Sequence, residues 1–123
     1  MEAGSSGTGE NMELPVQITF KGLASSPALE TRIRAKAAKL ARYHERITSI
    51  RVLVEATNRH EQLGHAYSVR VDVLIPGAEL FASREAGHSH EHEGMYVALR
   101  DAFEAILRQM EHATERRRHA DRV

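Results

Sequence analysis

The stretch YSVRVDVLIPGAELFAS, residues 67–83, decides the fold. Tyr67, Val69, Val71, Val73 and Ile75 alternate with Ser68, Arg70, Asp72 and Leu74, the period-two pattern of a strand with one buried face. Pro76 and Gly77 follow. Proline presets the backbone angle of the first turn position and glycine accepts a positive φ at the second, so Ala78–Ser83 is predicted to return as an antiparallel strand. One face of this hairpin is apolar and has to be covered by something else in the chain.

N-terminal to the hairpin, Ile50, Val52, Val54 and Ala56 alternate with Ser49, Arg51, Leu53 and Glu55, which predicts a strand over 47–56, followed by a polar loop over 58–65. Val16, Ile18 and Phe20 alternate with Gln17, Thr19 and Lys21 in a further strand. Between these two strands, Ser26 and Pro27 start a helix. The serine hydroxyl can cap free N–H groups, and proline at the first helical position has no N–H to lose. This helix is predicted to run to Tyr43 or His44. C-terminal to the hairpin, 84–94 is a loop rich in His, Glu and Gly, and Met95, Leu99, Ala102, Phe103, Ile106, Met110 and Ala113 then repeat at helical spacing.

The order is β-α-β-β-β-α, an α+β fold in which two amphipathic helices need an apolar surface and a four-stranded sheet supplies one, so both helices are expected on one face of the sheet. If the first strand lies parallel to a neighbour, its crossover through the first helix is right-handed. Residues 1–13, Gly- and Ser-rich with no apolar core, are expected to be a disordered lead or a cloning scar, with Met12 as a candidate natural start. Residues 14–115 form the expected domain and 116–123 a basic C-terminal tail.

The 123 residues carry 17 basic and 17 acidic side chains, so total charge does not mark a nucleic-acid binder. The charge is nevertheless sorted along the chain: residues 21–60 net +6, against −3 for 1–20, −4 for 61–99 and +1 for 100–123. There are no cysteines, which excludes disulfides, thiolate chemistry and Cys-type zinc sites and is compatible with a cytoplasmic location. No apolar run approaches the roughly 20 residues of a membrane span, so no membrane partner is expected.

Placing the first helix on a wheel at 100° per residue from Arg32 separates two faces. Leu29, Ile33, Ala37 and Leu40 fall between about +60° and +140°, and Arg32, Lys36, Lys39, Arg42 and Arg46 between about −80° and +40°. Arg34 lies outside this arc. With the apolar stripe buried, the five cations would line one exposed flank suited to phosphates. Tyr43, at about +20°, either joins that flank or caps the core.

Three segments carry a family resemblance: AKAAKLARYHERI (Ala35–Ile47), PGAELFAS (Pro76–Ser83) and GMYVALRDAFEAILRQM (Gly94–Met110). With the element order, they resemble the ribosome hibernation-promoting factors and protein Y, also called the ribosomal subunit interface or sigma-54 modulation family, from Val16 to about Thr114. The resemblance implies a double-stranded-RNA-binding-domain-like fold. It also implies a translation inhibitor of stressed cells that occupies the small-subunit groove of messenger and transfer RNA and holds idle ribosomes inactive. The implied partners are the small ribosomal subunit and its rRNA, with no DNA and no cofactor. By the same resemblance Lys36 and Lys39 present ammonium groups to rRNA, and Arg108 stands at the arginine of the second-helix motif, with Arg116, Arg117 and Arg118 adding charge. The chain departs from the family pattern where His112 and Thr114 replace the lysines usual on the second helix. The resemblance is to the short form, so no dimerising C-terminal domain is expected, and pairing of ribosomes is expected to need another factor.

His88, His90 and His92 alternate, and in an extended loop their imidazoles would point one way, as in a metal site; the plainer reading is a solvated loop, so no metal is expected. A metal-responsive or protein-interaction module built on this loop is the alternative function. His60, Glu61 and His65 miss the metalloprotease spacing by one residue, which would set the histidines about 140° apart on a helix. No phosphate-cradling glycine loop, nucleophile elbow or paired carboxylates are present, and no enzymatic activity is expected.

Overall fold

The computed structural model describes residues 15–44, 46–60, 64–86 and 91–122. Strands β1 (Val16–Lys21), β2 (Ser49–His60), β3 (Gly64–Ile75) and β4 (Ala78–Ala86) form one sheet in the order β1-β2-β3-β4, and the helices are α1 (Pro27–Tyr43) and α2 (Glu91–Arg122). The order β-α-β-β-β-α and the α+β class are as the sequence predicts.

β1 pairs parallel with β2, so α1 is the crossover between them, while β2–β3 and β3–β4 are antiparallel. The register follows from the period-two pattern. Val52 pairs with Val71, and Val71 with Ala82, placing small and β-branched side chains in line across one face. A slip of one residue would send this whole row to the solvent side.

α1 begins where Ser26 caps it: the Leu29 N–H donates to Ser26 Oγ (3.2 Å), and the Glu30 N–H to the Ser26 carbonyl (2.9 Å). It ends when His44 turns extended (φ −134°) while its N–H still donates to the Leu40 carbonyl. Leu29, Ile33, Ala37 and Leu40 are all buried, the four residues that the helical wheel assigns to the core. They join one cluster with the inward side chains of β2, β3 and β4 and with Leu99, Phe103, Ile106 and Met110 of α2, so both helices lie on the same face of the sheet. No polar or charged side chain is buried among the described residues.

The differences from the sequence reading lie at element ends. β2 and β3 reach His60 and Gly64, so the polar loop expected over 58–65 is mostly strand, with a register shift between Thr57 and His60. The sequence from Thr57 to Ala66 has no period-two apolar pattern to mark a strand. β4 likewise continues to Ala86. α2 starts at Glu91 and runs to Arg122, so residues 116–122, expected as a separate tail, continue the helix. Arg, Glu, His and Ala there are compatible with a helix even without an apolar stripe to announce it, and Glu91 and Glu93 suit its positive N-terminal end.

Two glycines hold positive φ for different reasons. Gly77 (φ +82°) completes the Pro76 turn with open space around it. Gly22 (φ +81°) sits where a Cβ would run into the Ala56 carbonyl oxygen of β2. Gly77→Ala should therefore cost about 1 kcal/mol from the backbone alone. Gly22→Ala adds a backbone collision and should cost at least about 2 kcal/mol. Urea melts of the two variants check the order, and equal losses would remove the Ala56 contact from the account.

Candidate nucleic-acid interface on helix α1

Burying the Leu29–Leu40 stripe fixes the rotation of α1 about its axis, and with it the direction of every other side chain on the helix. Arg32, Lys39 and Arg42 are exposed, Lys36 is half-buried, and Arg46, just past the helix end, is exposed. The Arg46 N–H donates to His44 Nδ1 (3.2 Å), which anchors the chain as it leaves the helix. None of these five cations forms an ion pair with a described residue. Glu30, the one acidic residue within α1, falls at about 160° on the same wheel, on the far side of the apolar stripe.

Three cations elsewhere are neutralised locally. Lys21 pairs with Glu55 (3.9 Å), Arg70 with Asp72 (3.5 Å) and Arg100 with Asp101 (3.2 Å). The open face of the sheet, which carries the first two pairs, therefore offers alternating charge. The flank of α1 offers one sign only.

Two contacts of α2 were not legible in the sequence. The Arg32 guanidinium lies 4.4 Å over the Tyr96 ring of α2, so the basic flank borders the groove between the helices and its first cation is held in place. The signal available was the position of Tyr96 one step off the buried stripe of α2, but its partner depends on how the helices pack. Gln109 is the second. Its Nε2 donates to the Phe81 carbonyl (2.7 Å) and its Oε1 accepts from the Phe81 N–H (3.2 Å), so a side-chain amide occupies part of the free edge of β4.

Arg108 is exposed, but it does not share a strip with the α1 cations. It stands about 120° around α2 from Tyr96, on the outer side toward Gln109 and β4. Arg116, Arg117 and Arg118 lie on the helical backbone of α2, and their side chains are outside the described residues. His88 and His90 are also outside them. His92 is on the backbone of α2, so the loop expected over 84–94 does not extend through it, and its side chain is outside the described residues. Among the described residues no group of three His, Asp or Glu could hold a metal. No described helix is long and apolar enough to cross a membrane.

Residues 16–118 match the family described as Sigma 54 modulation protein / S30EA ribosomal protein. The chain belongs to this family. Solved structures agree with the fold of this S30EA-family chain. A ribosomal subunit interface protein from Coxiella burnetii superposes with a TM-score of 0.57 at 18% identity, covering 78% of this chain and 97% of its own. The N-terminal domain of protein Y from Thermus thermophilus gives 0.59 at 16% identity, covering 77% and 93%. Comparison with curated proteins finds no match.

Arg32 is exposed while Tyr96 is half-buried, so the expected value of the contact is about 0.5–1 kcal/mol. A double-mutant cycle on Arg32→Ala and Tyr96→Leu, read from thermal or urea unfolding, should return a coupling of that size. Additive losses would mean that the ring does not hold the guanidinium.

Proposed function

We propose that this S30EA-family chain is a ribosome-associated translation inhibitor that lays the basic flank of α1 on small-subunit rRNA, in the groove used by messenger and transfer RNA, and so holds idle ribosomes inactive. One observation carries this reading: four cations, Arg32, Lys36, Lys39 and Arg42, on one flank of α1 with Arg46 exposed just past its end, none paired with a described acidic residue, on a chain whose total charge is zero. Unpaired surface cations repel one another mildly and contribute nothing to stability, whereas phosphates release counterions when they replace that repulsion with attraction.

Contacts of this type position a protein on a nucleic-acid backbone without reading sequence. The rRNA groove, not a base code, then sets where the protein sits. Arg108 and the arginines at 116–118 act as secondary contacts on other sides of α2. The domain that binds is the α+β unit over 14–115, working in the cytoplasm.

Co-sedimentation with small ribosomal subunits tests the reading. Lys36→Glu combined with Lys39→Glu should lower affinity by more than about tenfold near 0.1 M salt and flatten the salt dependence by roughly two phosphate contacts. Circular dichroism should show the fold retained, since neither side chain belongs to the core. Unchanged binding by a folded double variant would remove α1 from the interface.

A further inference from the structure

Tyr43 closes α1 and is 51% exposed. A single exposed aromatic is ordinary on a protein surface and by itself means nothing. Two observations set this one apart. It is absent from the apolar side chains that pack against the core, although Tyr96 is among them, and it has no hydrogen bond or ring contact with a described residue. The structure thus removes the alternative that Tyr43 caps the core. The ring also sits inside the cationic arc: at about +20° it falls between Arg32 and Lys36, with Lys39 one turn before it and Arg46 just after.

Phosphate contacts alone have no use for an aromatic ring. A flat ring amid cations, with no protein partner, has the composition of sites that hold single-stranded RNA, where bases stack on the ring and the backbone lies against Lys and Arg. Resting on the RNA-binding reading above, we infer that Tyr43 is a stacking platform for an unpaired base, and that the α1 flank takes an RNA strand with one nucleotide splayed out near the helix end. The adjacent phosphates then fall to Lys39 on one side and to Arg42 and Arg46 on the other. This adds a sequence-tolerant, charge-independent component to an otherwise electrostatic contact.

The experiment measures affinity of the full chain for purified small ribosomal subunits across a salt series. Tyr43→Ala should weaken binding about 5- to 100-fold at every salt concentration, with the slope against salt unchanged, because stacking releases no counterions. Tyr43→Phe should stay within about twofold of the wild type, since the ring supplies the stacking. The chain has no tryptophan, so Tyr43→Trp creates a single reporter whose emission should be quenched when subunits are added. Wild-type affinity for Tyr43→Ala, a loss shared by Tyr43→Phe, or unquenched emission from a bound Tyr43→Trp would each overturn the platform and leave the basic flank standing. A wild-type chain that does not bind subunits would overturn both. The exposure of Tyr43 predicts that the variants melt with the wild type, which separates a lost contact from a lost fold.

Discussion

The seating of four side chains, Leu29, Ile33, Ala37 and Leu40, against the apolar face of the sheet governs the rest of the molecule. Leu29, Ile33 and Leu40 are each worth about 1.5–3 kcal/mol when removed from water. Turning α1 by one residue's worth of rotation would withdraw part of that stripe and drive Lys36 toward the core, where an unpaired ammonium costs several kcal/mol. The helix therefore has one tolerable orientation. The basic flank is a consequence of it: nothing needs to attract those cations outward once the opposite side is locked in. Ser26 fixes where the helix starts, His44 fixes where it stops, and the Arg32–Tyr96 contact ties its first turns to α2.

The same burial explains what could be read from the sequence. Wherever an element touches the core, its apolar residues repeat at 2 or 3.6, and β1, α1, the central parts of β2 and β3, the Pro76–Gly77 turn and the middle of α2 were legible for that reason. The flank Arg32, Lys36, Lys39 and Arg42 was legible too, because it is the complement of the stripe. Element ends were not. Around His60 and Gly64 and after Ala113 the sequence has no periodic apolar residues, and before Ala86 the exposed run Ser83, Arg84 and Glu85 breaks the alternation, so strand and helix there look like polar loop. Pair contacts were also hidden. Arg32 with Tyr96 and Gln109 with Phe81 join residues 64 and 28 positions apart, and only the packing of α2 against its neighbours brings them together.

Zero net charge shapes how such a surface can work. A strongly basic protein is steered to RNA from a distance, but this chain has little far field, and its flank acts within a Debye length of about 10 Å at 0.1 M salt. From Arg32 to Arg42 the flank spans about 15 Å of helix axis at 1.5 Å per residue, so the cations at its two ends scarcely influence one another. Neighbouring cations, about 5–6 Å apart along the axis, do feel one another, and a phosphate lying between two of them relieves that repulsion.

Local pairing decides which of the exposed faces a polyanion can use. On the open side of the sheet, Lys21 and Arg70 face Glu55 and Asp72, and the Arg70 guanidinium also covers the Phe81 ring at 4.4 Å. A phosphate arriving at Lys21 or Arg70 meets a carboxylate already in place and must displace it, which leaves Arg51 as the cation of that face without an ion pair. On α1 no such exchange is needed, since the acidic residue of the helix, Glu30, lies across the apolar stripe. The favourable direction of approach is thus set less by the number of positive charges on a face than by the absence of internal competitors for them, and α1 carries several cations free of such competition.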